Sequence, residues 1–406
     1  MFRRSVWGLG DQAVSSFSSL LLAVMVARES SPAELGAWAI GYAIYTFLVS
    51  LSRAAISTSA LISRSPDPED GAVNVDHAAF TLSFLAGLLA ALALVPIGML
   101  LSSELGVILV VFGFGMPALL AQDAIRYVFF RREEIHRSFV IDLVMLVVQI
   151  GAGLALVSIF DDPLWITVGW LAAVFSSVCV GWLYTGNMMS LRSAIAFVRL
   201  SRSSGGKLLL EGLVTSGTAN LMPVFLGGVL GLVSVGHFRG ALTLLGVAGI
   251  FIGGVTPIAT VEVVKRRDSS HFHSKFLVYW CTLVAFLGSV LLVLLLLIPD
   301  RFGVSLLGES WYGASAILLP MSLQVILRGP ITGVPIVLRA HMALNSVLKL
   351  RVQYSAVSLA LTLAGAWAFG LSGAAWCWAA GSLIGVVLAV SSYRAFSSAA
   401  GGMGAA

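Results

Sequence analysis

The chain has 406 residues, of which 58% are hydrophobic and only 11% charged, and its mean hydropathy is +0.98. Soluble domains carry roughly 25% charged residues, so this composition excludes a soluble enzyme or binding module and indicates a polytopic membrane protein. The formal charge of +5 does not call for nucleic acid as a partner, because Lys and Arg in a membrane protein mostly set orientation.

Apolar runs bounded by charges and Gly, Pro and Ser clusters predict twelve helices, beginning near residues 8, 34, 77, 104, 138, 164, 206, 237, 275, 312, 346 and 372. Continuous runs such as 276–298 are too long for barrel strands of roughly 10 residues. The predicted fold is all-α, with six helices in an N-terminal lobe (1–185), a linker (186–206) and six helices in a C-terminal lobe (207–406). The first run opens on Arg3 and Arg4 and turns apolar as a signal peptide would. It contains Asp11 and precedes many further spans, so it reads as a retained first helix. With the N-terminus in the cytoplasm, twenty of the 24 Lys and Arg residues fall on the inner side; Arg28, Arg239 and Arg301 fall outside and Arg328 falls mid-span. That bias predicts both termini in the cytoplasm and an even number of spans.

The linker holds Met188, Leu191, Ile195 and Val198 at helical spacing, interleaved with Arg192, Arg199 and Arg202. It reads as an interfacial helix or as a plain basic loop. Laid over one another, the two halves pair Asp11 with Glu211, Val14 with Val214, Ser16 with Ser216 and Gly36 with Gly236, and little else. A repeat therefore rests on topology: six spans return each lobe to the same side, which would make the lobes parallel repeats.

A charge at the centre of a span costs roughly 2.5–3.5 kcal/mol on insertion scales, so each one is a candidate site. Arg328 lies in the predicted tenth helix, about one turn from Gln324 and before Gly329 and Pro330. It reads either as an anion-binding arginine facing a cavity or as a structural group capping carbonyls freed by Pro330 and Pro335. Arg28 ends the first helix, Arg53 ends the second beside Ser52, Ala54 and Ala55, and Arg239 opens the eighth. Each could snorkel to an interface; together the four suggest a cationic path for an anionic substrate. Asp123 and Arg126 are three residues apart on one helix face and able to form a gating or structural ion pair. Asp11, Asp142 and Glu211 fall in the first turns of predicted helices, where a carboxylate suits the dipole; Asp11 is also the best-placed group for coupling to a proton or Na⁺.

Gly206-Lys207 imitates the end of a P-loop, but Ser201 and Leu208 stand where glycine and Ser/Thr are required, so no ATP site and no cofactor is expected. Cys179, Cys281 and Cys377 lie far apart without ligand spacing, so neither a disulfide nor a metal site is expected. His271 and His273 lie among Lys265, Arg266, Arg267 and Lys275, a cluster suited to anionic membrane lipids. Prolines inside spans (Pro96, Pro117, Pro223, Pro257, Pro320, Pro330, Pro335) and abundant glycine supply bends and close packing. Kinked helices in two lobes are the expected build of an alternating-access transporter.

Trp7-Gly8-Leu9-Gly10, Val26-Ala27-Arg28, Ser31-Pro32-Ala33-Glu34-Leu35-Gly36, Gln122-Asp123-Ala124-Ile125-Arg126-Tyr127 and Phe238-Arg239-Gly240-Ala241-Leu242-Thr243-Leu244-Leu245-Gly246 resemble a polysaccharide flippase of the multidrug/oligosaccharidyl-lipid/polysaccharide (MOP) exporter superfamily. Val247 stands where that pattern has proline, and Asp11 where a neutral residue is usual. The resemblance implies two six-helix lobes around a central cavity. The protein would move a polyprenyl-diphosphate-linked oligosaccharide to the outer leaflet of the bacterial cytoplasmic membrane, with glycan-assembly proteins as partners and Arg28, Arg53 and Arg239 holding the diphosphate. Outward movement of an anion is favoured by an inside-negative potential by about 2.3 kcal/mol per charge per 100 mV. The alternatives are a cation-coupled drug exporter of the same superfamily, with Asp11 as its acid, and a membrane glycan polymerase or ligase, which the short outer loops disfavour.

Overall fold

The computed structural model describes residues 2–57, 60, 74–186, 188–266 and 269–403, apart from the side chains of residues 2–6, 9, 200–211, 214, 215, 218, 219, 257, 258, 261, 270 and 399–403. Arg64 and Arg267, and the side chains of Arg3, Arg4, Arg202, Lys207, Glu211 and Pro257, therefore lie outside the described residues.

Helices α1 (Phe2–Glu29), α2 (Pro32–Ser52), α3 (Val75–Leu100), α4 (Glu104–Arg131), α5 (Ile135–Phe160) and α6 (Leu164–Thr185) follow one another across short turns. The next stretch, Leu191–Lys265, is broken at Gly231, which has φ 77° and ψ 174°; glycine alone enters that region freely. The break separates α7 (191–230) from α8 (232–265). Then come α9 (Ser270–Leu296), the short α10 (Asp300–Leu307), α11 (Ser310–Ile326) and α12 (Arg328–Ala340). The stretch Leu344–Met403 is broken at Phe369 and Gly370, giving α13 (344–368) and α14 (371–403).

Ten stretches are long and apolar enough to cross a membrane, and the breaks at Gly231 and Gly370 divide two of them. Counted at those breaks, the described residues agree approximately with the twelve helices that the sequence predicts, with α11 and α12 in one stretch. The observed helices begin up to six residues before the predicted starts, α1 at Phe2 rather than near 8, except for α7, which begins at Leu191 rather than near 206. The predicted linker and the seventh span are thus one helix, because nothing in 191–205 breaks it.

Local chemistry explains the ends. At α2 the Ser31 hydroxyl accepts from the Glu34 N–H at 3.3 Å and the Glu34 carboxylate accepts from the Ser31 N–H at 2.8 Å, a reciprocal cap followed by a proline at the first helical position. At its other end α2 widens into a single π-helical turn, Arg53–Ser57. Between α11 and α12, Pro330 lacks the N–H that would reach the carbonyl of Ile326 and crowds it with its ring. The helix stops at Ile326 and restarts at Arg328.

Contacts divide the chain into two compact units, Met1–Val224 and Phe225–Ala406. In the first, α3 packs on α4, α5 on α6, α1 on α5, and α2 and α6 on α4. Backbones touch where side chains vanish: a Cβ on Gly87 would lie 2.6 Å from the carbonyl oxygen of Met116, the small-residue packing usual between membrane helices. Most of α7 belongs to this unit, with the Asn220 amide donating to Ser50 Oγ at 3.3 Å. At the start of α7, Phe197 is buried against Ala60, Val75, Ala78 and Ala79, while Leu191, Ile195 and Val198 are exposed. In the second unit α9 packs on α11 and α12, and the 344–403 stretch packs on both. The Trp280 indole N–H donates to Thr332 Oγ1 at 3.0 Å, joining α9 to α12.

Candidate functional site

A polar network lies in the first unit, at the end of the helices that carries the N-terminus. It is built on α4, which presents Gln122, Asp123 and Arg126 within its last three turns. Arg126 Nη2 donates to Asp11 Oδ2 of α1 at 2.8 Å, and Nη1 donates to Ser15 Oγ at 3.2 Å. The same Nη2 lies 3.2 Å from Asp142 Oδ2 of α5, and Gln122 Nε2 donates to Asp142 Oδ1 at 3.1 Å. The Arg126 side chain is 12% exposed, Asp11 2% and Asp142 0%. Three helices are therefore tied by one guanidinium roughly 8 Å inside the end of α4.

Arg53 grips Asp123 from the π-helical turn of α2. Nε donates to both carboxylate oxygens at 3.0 Å and Nη2 to Oδ1 at 2.6 Å. Its guanidinium also lies 6.0 Å from the centre of the Tyr127 ring, a cation–π distance. Asp123 is 6% exposed but Arg53 is 43% exposed, so this pair is more open than the Arg126 group. At the same end Asp76 takes Arg131 at 2.6 Å and Arg132 at 2.7 Å.

Several sequence expectations change here. Asp123 and Arg126 share a face but pair with Arg53 and with Asp11 and Asp142, not with one another. Asp11 and Asp142 are not first-turn residues, because α1 begins at Phe2 and α5 at Ile135; Glu211 lies inside α7 for the same reason. Asp11 and Asp142 are buried carboxylates that need a cation, which Arg126 supplies. Asp11 Oδ1 and Arg126 Nε have no hydrogen-bond partner among the described residues. One positive charge faces two carboxylates, so this core holds a net negative charge when both are ionised.

The remaining predicted arginines do not join this network. Arg28 lies at the surface with Nε 3.4 Å from Glu29. Arg239 does not open α8: it lies eight residues beyond the break at Gly231, half-buried and next to Phe238, which is fully buried. Arg328 opens α12 rather than lying within one continuous helix, and it is exposed while Gln324 is buried, so the two do not share a face. His273 is only 4% exposed, with its ring centre 4.8 Å from that of His341, which overturns its reading as a headgroup-facing residue; His271 is exposed.

The part played by Asp142 escapes a sequence reading because its partner lies on another helix sixteen residues away. The available signal is that Asp142 sits among apolar residues, Phe139 to Leu146, where a lone carboxylate needs a partner.

The spans of the second unit have a different composition. They contain Arg239 and Arg328 well inside their length and no Asp or Glu at all.

The fold is shared with solved structures of MOP-superfamily transporters. The chain is similar to an inward-facing multidrug resistance MATE family transporter of that superfamily (TM-score 0.76, 13% identity, 94% of this chain and 93% of that one). It is also similar to the lipid II flippase MurJ in an inward closed conformation (TM-score 0.71, 14% identity, 97% and 88%). A MOP superfamily transporter from Pyrococcus furiosus, described as having a binding pocket of reversed polarity, follows with TM-score 0.60, 15% identity and coverage of 97% and 93%. No curated protein sequence matches. The polysaccharide biosynthesis protein family matches residues 25–316, and the chain belongs to that family.

Proposed function

We propose that the protein flips a polyprenyl-diphosphate-linked oligosaccharide from the cytoplasmic to the outer leaflet by alternating access. Family membership and a fold shared with a lipid II flippase support a lipid-linked sugar as cargo. The observation that carries the reading is Arg328, exposed in a span that holds no Asp or Glu. A guanidinium at mid-span facing lipid would cost several kcal/mol, so exposed Arg328 must face a polar surface. An anionic diphosphate is a ligand that such a group would hold. The Arg126 core supports coupling to a cation, with Asp11 as the accepting group, because its carboxylates outnumber its guanidinium.

Reconstituted in vesicles with a fluorescent polyprenyl-diphosphate saccharide, the Arg328→Met variant is expected to lose flipping at least tenfold and Arg328→Lys to keep part of it, since a fork becomes a point charge. Full activity of Arg328→Met would remove the anion site. For orientation, a reporter after Arg394 should read cytoplasm and one between Asp161 and Asp162 the exterior; the reverse pattern overturns the direction of transport proposed here.

A further inference from the structure

The chain between α6 and α7 is pinned to the start of α3. Met188 is buried in the cluster that holds Phe80 and Phe129. The Ser190 N–H donates to Thr81 Oγ1 at 2.9 Å, and that hydroxyl donates to the Met188 carbonyl at 3.3 Å. The Ser190 hydroxyl also accepts from the Ser193 N–H at 3.2 Å and so caps α7. One face of the new helix then turns inward: Ala194 and Phe197 are buried, and Phe197 lies against Val75, Ala78 and Ala79. These contacts with α3 all fall in its first two turns, and α3 is long and apolar enough to be a span from Val75 onward. The start of α7 is therefore held at the level where α3 enters the bilayer.

A second face is left uncovered. Leu191, Ile195 and Val198 are exposed, and at 3.6 residues per turn they fall within about 60° of one another. Arg192 and Arg199, also exposed, fall together on the flank of that stripe away from Ala194 and Phe197. Five other arginines at this end are spent on carboxylates: Arg53 on Asp123, Arg126 on Asp11, Arg131 and Arg132 on Asp76, and Arg137 on Glu134. Arg192 and Arg199 have no ion pair among the described residues, and no Asp or Glu occurs between residues 163 and 210. Length points the same way. α7 continues to residue 230 and is about 60 Å long, twice the roughly 30 Å of bilayer hydrocarbon, so a large part of it lies outside that layer.

We propose that Leu191–Arg199 is a docking surface for anionic phospholipid, with Leu191, Ile195 and Val198 in the acyl boundary and Arg192 and Arg199 on the phosphates of adjacent headgroups. An exposed apolar stripe flanked by basic residues suits a helix lying in the membrane interface, and a guanidinium fork matches phosphate oxygens. The preference for anionic lipid follows from two arginines with no acid beside them. The bilayer, rather than a soluble partner, covers the stripe because the turns of α3 that anchor it begin a span. This surface does not depend on what the protein carries across the membrane.

The test uses the full chain with Cys179, Cys281 and Cys377 replaced by Ala and Ile195→Cys labelled with bimane, in nanodiscs of equal parts phosphatidylcholine and phosphatidylglycerol. Doxyl-labelled forms of each lipid quench the label according to their share of its contacts. Each arginine near an anionic surface gives roughly a fivefold preference, so phosphatidylglycerol is expected to be enriched at the label by about tenfold or more. Raising the salt to about 0.5 M should remove most of that preference. Combining Arg192→Gln with Arg199→Gln should bring the two lipids level, with the melting temperature unchanged and quenching by phosphatidylcholine retained.

A label open to aqueous iodide and quenched by neither lipid would put this face in water, and one reached by neither iodide nor lipid would mean that protein covers it. Equal quenching by the two lipids in the parent, or a preference that survives loss of both arginines, would take the headgroup contact away from Arg192 and Arg199. Each of these results overturns the proposal.

Discussion

In the first unit, Arg126 and Arg53 face carboxylates from other helices at 2.6–3.2 Å, whereas the spans of the second unit hold Arg239 and Arg328 and no Asp or Glu. The same residue type thus does two jobs. In the first unit the guanidinium joins helices and its charge is spent inside the protein. In the second, Arg328 is exposed in a span with no carboxylate of its own, which suits it to an anion that comes and goes.

The comparison breaks most readily at Arg126. Replacing it with Met strands two buried carboxylates, and losing one partner of a buried ion pair costs about 3–5 kcal/mol. Denaturant unfolding in detergent should show that loss, and adding Asp11→Asn and Asp142→Asn should restore most of it. If Arg126→Met is as stable as the parent, the network is not what holds α1, α4 and α5 together. A smaller effect is expected at Arg53, whose partner Asp123 is buried but which is itself 43% exposed. Arg53→Ala should cost about 1–2 kcal/mol, the range for a charged hydrogen bond reduced by solvent screening. The smallest effect belongs to the second unit: Arg328→Met should change unfolding stability by no more than about 0.5 kcal/mol, although transport fails. A large destabilisation there would make Arg328 structural and erase the contrast.

Much of the fold was legible because hydropathy reports directly on where the bilayer is. The spans, their number and all but one of their starts follow from apolar runs and their boundaries. The start of α7 was missed because Gly205 and Gly206 look like a boundary, yet a helix already under way from Leu191 runs through them. Lateral pairing was far less legible. A spacing of three residues shows that Asp123 and Arg126 share a face, but that face meets two different neighbours. Asp123 turns to Arg53 of α2, and Arg126 turns to Asp11 and Asp142 of α1 and α5. Pattern along one helix carries no record of which helices stand beside it. The break before Arg328 is readable in kind from Pro330 but not in place, and it separates Gln324 from Arg328, which are one turn apart in the sequence.

The π-helical turn Arg53–Ser57 has a consequence for how this segment tolerates change in length. Such a turn holds one residue more than an α-helical turn, so it behaves as a built-in insertion. Deleting Ala54 or Ala55 would let the segment return to ordinary α-helical pitch without exposing backbone groups. Everything beyond the deletion would then rotate by about 100° relative to α2. A chain shortened in this way should keep its helix content and lose the side-chain register that the extra residue sets around Arg53 and Asp123. Length at this one turn is therefore as much a determinant of the polar face as the identity of the charged residues on it.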